Sequence, residues 1–321
     1  MQTDGTSSVA GQTQAGSVVA LWRYPVKSMM GEELNSSEVT DRGLLGDRQF
    51  AIVDRATGKV GGAKNPRKRG NFFDFRATYG EAPKLRGRIS PVRITLPDGD
   101  VVSNDRADLK QILSRAFGRE IAFVEARAEG MTSGVAEEYW PDMAGLEHRD
   151  TVTDFEMPAG TFFDIAVVHL LTTATIDRLR ELYPQGRFEA RRFRPNIVIS
   201  TGSEDPGFVE NDWIGRTVLI GDTIRLAITE PCPRCVMITL PQGDLPKDSG
   251  ILRTAAQHNA VNVGVYASVV NGGTIRRGDR SCSPELGLTC HPFRGVLSAA
   301  SRTSRASKDL ESKGRTGLVL S

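Results

Sequence analysis

The chain has 321 residues and a formal net charge of +2, from 41 basic and 39 acidic side chains, so no global field draws it onto nucleic acid or an anionic membrane. It has no apolar run of about 18 residues, which excludes a bilayer-spanning helix. Its four cysteines are too few for a disulfide scaffold and point to a reducing, cytoplasmic setting.

Residues 1–16 are rich in Gln, Thr, Gly and Ser and lack the basic-then-apolar pattern of a signal peptide; they read as a disordered leader. Ser17–Val26 and Phe50–Val53 read as strands. Pro97-Asp98-Gly99-Asp100, between Ile89–Leu96 and Val101–Val102, is a hairpin signal. Leu109, Ile112, Leu113 and Phe117 are spaced as one face of a short helix that Gly118 ends. Residues 17–126 therefore form a strand-rich domain with one helix. Residues 127–149, punctuated by Gly130, Gly134, Pro141 and Gly145, read as a linker.

A second domain spans residues 150–283. Phe162–Leu171 is apolar enough for a buried strand, and Ile176, Leu179 and Leu182 repeat at helical spacing within Ala174–Tyr183. Strand-like runs follow at Ile197–Ser200, Thr217–Ile220, Ile224–Ile228, Val236–Leu240 and Val263–Val270. Many short strands and few helices predict an α+β protein with a barrel-like second domain, not a doubly wound sheet. Residues 284–321, rich in Ser and charge, read as a mobile tail.

Several chemistries have no signature here. There is no G-x-G-x-x-G after a strand, no phosphate-binding G-x-x-x-x-G-K-[ST], no G-x-S-x-G elbow and no His-x-x-x-His pair. His148, His169, His258 and His291 are scattered. A nicotinamide enzyme, a P-loop enzyme and a histidine-based zinc hydrolase are disfavoured.

The sharpest local signal is Pro231-Cys232-Pro233-Arg234-Cys235. A structural zinc needs four ligands and finds no second pair at a usual spacing. A thioredoxin-type dithiol opens a helix, whereas Val236–Leu240 is β-branched and reads as a strand. Two cysteines packed in a core are the bland alternative. The remaining reading is one thiolate, Cys235, offered on a stiff loop to a soft metal that brings its other ligands, with Arg234 beside it favouring the charged form.

Other signals are weaker alone. If Arg191–Ile199 is extended, Arg192, Arg194 and Asn196 share one face, suited to phosphate and a heterocycle. Thr172 and Thr173 stand at a strand-to-helix corner, where capping or anion binding is served. Tyr24-Pro25-Val26-Lys27-Ser28 and Gly46-Asp47-Arg48 are charged loops, and Lys64-Asn65-Pro66-Arg67-Lys68-Arg69 reads as a solvated turn.

Taken in order, YPVKS, GLLGDRQF, LLTTA, RFRPNIVI, W-x-G-x-x-x-x-IGD, C-x-R-C, GVYA and G-x-I-x-x-GD resemble the MOSC-domain family, from about Val18 to Asp279. The nearest branch is the mitochondrial amidoxime-reducing components and their bacterial relatives. The resemblance implies a β-rich N-terminal MOSC domain, a β-barrel-like C-terminal MOSC domain with a few helices, and a molybdenum–molybdopterin cofactor between them. It implies Cys235 as metal ligand, with Lys27, Ser28, Arg48, Thr172, Thr173, Arg194, Asn196, Arg234 and Tyr266 as cofactor contacts. Pro233 departs from the small polar residue common in relatives and is left out of the site.

The activity so implied is reduction of N-hydroxylated small molecules. Two other functions stay open: a metabolite-specific molybdenum oxidoreductase, and a cofactor or sulfur carrier akin to the C-terminal part of cofactor sulfurases. With no dinucleotide fingerprint and no iron–sulfur run, the chain is expected to need a separate electron-donor protein, an iron–sulfur, flavin or haem carrier. Lys64, Arg67 and Lys68 are candidate docking residues for it.

Overall fold

The computed structural model describes residues 14–69, 72–86, 90–126, 134–201 and 207–282. Residues 1–13 of the expected leader, the start of the expected linker and the expected tail lie outside them, while residues 14–16, expected as leader, open a strand.

The protein is mostly β. Seven strands close into a barrel in the order Ile197–Ser200, Val168–Thr172, Asn262–Asn271, Ile224–Pro233, Thr217–Ile220, Arg280–Cys282 and Gln14–Arg23, the last pairing back onto the first. All neighbours are antiparallel except Val168–Thr172 with Ile197–Ser200, joined through the helix Thr173–Leu182 as a parallel pair requires. Inside are alternating apolar side chains such as Leu21, Val168, Ile199, Leu226 and Val265, each at most 1 % exposed. Closure leaves the sheet no free edge there. The strand Gln14–Arg23, which the sequence groups with the first domain, is thus a stave of this barrel.

The remaining β structure comes from the stretch between. Arg76–Tyr79, Val92–Thr95 and Val101–Ser103 form a meander, and Phe50–Asp54 pairs with Ile121–Glu125. The helix Leu109–Phe117 packs Leu109 and Leu113 inward and ends on Gly118 at φ 65°, a left-handed cap that glycine takes without strain. Phe72, Phe75 and Ile94 anchor this core, and Cys235, Met237 and Leu240 belong to the same cluster. The cysteine loop of the barrel is thus buried against the meander side.

Four local expectations are corrected. Val135–Trp140 is a strand paired with Thr151–Glu156, so this part of the expected linker is regular structure. Phe162–Leu171 is extended and paired only from Val168 onward. Val236–Thr239 is a 3-10 turn, because the chain leaves the barrel strand at Pro233 and buries Met237 and Ile238 in different clusters. Residues 250–259 form a helix that the sequence did not predict; it opens on Gly250, a poor helix former. Among the described residues no helix is long and apolar enough to cross a membrane.

Candidate functional site

Two adjoining cavities, of about 80 and 50 Å³, open beside Cys235. Both are lined by Arg48, Lys64, Asp164, Arg194 and Met237; the larger adds Cys235, Arg234 and Tyr266, the smaller Lys27 and Ser28.

The first wall comes from the turn after Gln14–Arg23 and from the loop before Phe50. Ser28 and Arg48 sit at φ 66° and 45°, and Arg194 at 56°. Left-handed backbone at non-glycine residues costs roughly 1–3 kcal/mol each and collects at functional sites. Here it lies at three residues that line the cavities. Lys27 is 6 % exposed and donates to the Phe162 carbonyl at 2.9 Å and to Asp164. Burial lowers its pKa, opposed by the Asp164 charge. Arg48 is paired with Asp47 and stacks on Tyr24 at 4.9 Å and Phe163 at 5.5 Å. Burial works against its charge, yet Asp47 and Tyr24 carry its pKa upward.

The second wall is the RFRPN segment, where the expected extended register is corrected. Ala190–Phe193 is a helical turn and Arg194 its left-handed cap. Arg192 therefore points away from Arg194: it is fully buried and donates to the carbonyls of Ile238, Leu240 and Pro246. Arg194 does face the cavity, donating to the Met29 carbonyl at 2.7 Å and lying 4.1 Å over the Tyr24 ring. Burial pulls its pKa down to about 10. Asn196 lines the cavity, but its amide is committed: Nδ2 donates to Asp47 at 2.9 Å and Oδ1 accepts from the His169 N–H at 3.1 Å.

The third wall is the cysteine loop. Cys235 is 8 % exposed and caps the Val236–Thr239 turn. Burial, with Glu138 adding, pushes its thiol up to about 12 despite Lys64 and Arg234. Arg234 favours the Cys235 thiolate by its charge alone, for its hydrogen bonds go elsewhere: Nη1 donates to Cys232 Sγ at 2.7 Å and Nη2 to the Phe193 carbonyl at 2.9 Å. Burial alone would raise the Cys232 thiol, but the Arg234 and His169 charges with the Tyr266 hydroxyl bring it down to about 6. Tyr266 is itself pushed well up by burial and by Cys232. Pro233, set aside in the sequence, lines the larger cavity.

Thr172 and Thr173 are not brought to the cavities. Thr172 Oγ1 accepts the Thr175 N–H at 3.1 Å and donates to the buried Glu210 carboxylate at 2.6 Å, so it is a helix cap. Lys64, Phe163, Asp164 and Met237 were missed. Lys64 is not a solvated residue: its side chain is 14 % exposed and its Nζ stands 3.2 Å from both Glu138 and Asp164. Burial opposes its charge, but those carboxylates raise its pKa. Asp164, which burial would raise, is held far below the carboxylate range by Lys27 and Lys64. Arg67 and Lys68 are also committed, to Asp150 at 2.6 Å and Glu137 at 2.8 Å. The Lys-Asn-Pro signal for Lys64 was present but indistinguishable from a surface turn.

What the arrangement offers is anion binding next to one thiol. Five cations line the cavities. Arg234 Nε is buried with no hydrogen-bond partner, a donor awaiting an acceptor. At Gly62 an added Cβ would stand 3.1 Å from Ser28 Oγ, so glycine keeps the space beside that hydroxyl open.

A closed β-barrel joined to a β-rich module, with a cationic double cavity against a buried cysteine, defines a two-module protein of mixed, mostly β architecture. The chain belongs to the MOSC family: residues 160–281 match the MOSC domain and residues 15–136 the MOSC N-terminal beta barrel domain. It is 25 % identical over 297 residues to mitochondrial amidoxime reducing component 2 of Rattus norvegicus, covering 83 % of this chain and 82 % of that protein. It is 26 % identical over 298 residues to mitochondrial amidoxime-reducing component 1 of Homo sapiens, with coverage of 83 % and 82 %. Among solved structures it is similar to the YUAD protein of Bacillus subtilis, at a TM-score of 0.40 and 10 % identity over 84 % of this chain and 96 % of that one.

Proposed function

We propose that the protein is an oxidoreductase that holds a molybdenum–pterin cofactor in the joined cavities, takes Cys235 as the metal's protein ligand, and removes oxygen from N-hydroxylated small molecules. The observation that carries this reading is the single thiol at a cation-lined cavity. Among the described residues no group of three or more His, Cys, Asp or Glu side chains is placed to hold a metal ion. A metal at Cys235 must therefore bring its other ligands with it, and the cations around it suit a carrier bearing a phosphate. The amidoxime-reducing names of the relatives supply the substrate class.

When bound, the cofactor supplies the two-electron chemistry that opens an N–O bond. The chain's residues bind and orient. Arg194 and Arg48, stacked about Tyr24, hold negative charge in fixed positions, and a guanidinium fork keeps its geometry where an ammonium would not. The unpartnered Nε of Arg234 donates to an acceptor of the ligand beside Cys235. Burial keeps the Tyr266 hydroxyl protonated, so it donates rather than accepts negative charge. Phe163 and Met237 narrow the water around these groups. Electrons come from a separate donor protein, an iron–sulfur, flavin or haem carrier.

The test is metal analysis of the purified full chain with the pterin released and identified, followed by amidoxime reduction with and without a donor protein. Bound molybdenum and pterin, with turnover only when the donor is present, support the proposal. Stoichiometric pterin with no reduction by any donor makes the chain a carrier. Turnover with a nicotinamide alone refutes the need for a donor.

A further inference from the structure

Asp164 stands out among the residues that line the cavities. The only other carboxylate lining them is Glu137, already held by Lys59, Lys68 and Asn65. Asp164 instead bridges two ammonium groups of the site: one carboxylate oxygen accepts from Lys27 Nζ and the other lies 3.2 Å from Lys64 Nζ. Its carrier is not a strand or helix. It lies in the irregular connection between Thr151–Glu156 and Val168–Thr172, next to Ile165, which is 45 % exposed. Its side chain is 28 % exposed, against 7 % for Lys27 and 14 % for Lys64.

Two buried ammonium groups side by side need counter-charge, because each unpaired charge out of water is costly; Lys64 also meets Glu138 at 3.2 Å, whereas Asp164 is the ion-pair partner of Lys27. A carboxylate brings one negative charge to the pair, whereas a phosphate monoester brings nearly two and three acceptor oxygens. The Ser28 hydroxyl and the open space kept by Gly62 lie in the same cavity, so the position suits a larger anion than a carboxylate.

We propose that Asp164 is a built-in counter-anion, filling between Lys27 and Lys64 the place that a phosphate monoester takes on binding, and that the phosphate displaces it together with its irregular segment. This takes its ligand from the cofactor reading above. It says more: the protein weakens its own hold on the phosphate to keep the empty lysine pair neutralised, and loading shifts residues 162–167 at the cavity mouth.

The experiment uses the full chain, made in a host unable to synthesise the pterin, and titrates inorganic phosphate by calorimetry against chloride of matched ionic strength. Asp164→Asn removes the competitor and should bind phosphate roughly tenfold or more tighter than wild type. Lys64→Gln should bind it more weakly. An Asp164→Asn chain with unchanged or reduced phosphate affinity overturns the proposal. Should that variant not fold, wild-type hydrogen exchange decides: phosphate should raise exchange across 162–167 and lower it around Lys27 and Ser28. No phosphate-induced rise at 162–167 would equally overturn it. If phosphate behaves as expected while chain from a competent host carries no pterin, the Asp164 exchange stands for another phosphate monoester and the cofactor reading falls.

Discussion

Arg194 is the sharpest place to separate function from stability. Its burial lowers the guanidinium pKa from its ordinary range to about 10. That displacement corresponds to roughly 3 kcal/mol of net electrostatic cost, burial and the Arg48 charge outweighing Tyr24, Asp47 and Asp164. Against it stand the hydrogen bond to the Met29 carbonyl at 2.7 Å, worth roughly 1.5–3 kcal/mol as a charged bond, and the packing of its stem. Arg194→Met keeps most of the volume, removes the charge and leaves one carbonyl unpaired. The two sides nearly cancel, so the melting temperature of the ligand-free chain should stay within about 4 °C of wild type. Pterin occupancy should fall by roughly tenfold or more, because the lost contact to an anion is worth on the order of 1.5–3 kcal/mol. Arg194→Lys should fall in between, keeping charge without the fork. Thermal melts and released-pterin fluorescence on the same preparations measure both. A large drop in melting temperature with unchanged occupancy per folded molecule would show Arg194 to be a structural clamp, and the reasoning wrong.

Thr172→Ala should cost roughly 2 kcal/mol through the lost cap and the loss of one of the two hydroxyls that hold Glu210, and leave pterin content per folded molecule intact. Loss of pterin without loss of stability would return Thr172 to the site. In the ligand-free chain, ultraviolet thiolate absorbance should titrate Cys232 near pH 6, and Arg234→Gln should move that midpoint upward; an unmoved midpoint would remove Arg234 as the cause. Burial would raise Glu137, but Lys68, Lys59 and Asn65 lower it to about 2, below its unfolded value. Its contribution is therefore complete above the unfolded carboxylate pKa and lost as pH falls from there toward 2, and Glu137→Gln should flatten acid unfolding in that window.

Much of this was legible in the chain. Short β-branched runs gave the barrel strands, and the ordered motifs gave Lys27, Ser28, Arg48, Arg194, Arg234, Cys235 and Tyr266, all of which line the cavities. The failures share a physical cause. A period-2 reading of Arg191–Ile199 assumed uniform backbone, but the helical turn Ala190–Phe193 and the left-handed Arg194 turn Arg192 away and leave Arg194 facing the cavity. Lys64 and Asp164 lie far apart in sequence and become partners only through the fold, so neither carries a local sign. The Thr-Thr corner offered two readings, and the partner that decides between them, Glu210, lies many residues downstream.

The closure of the barrel by Gln14–Arg23 has a kinetic side. That strand can pair early with Glu32–Leu34, just downstream, yet its two barrel neighbours, Ile197–Ser200 and Arg280–Cys282, are made far later. During synthesis the barrel pairings must wait, and such long-range pairing is slow to form. The wait extends to the turn that follows it, because Lys27 and Ser28 are positioned only once the strand is seated. A ligand that needs those residues can enter only after the last stave is in place, and by binding the finished state alone it then draws late folding to completion.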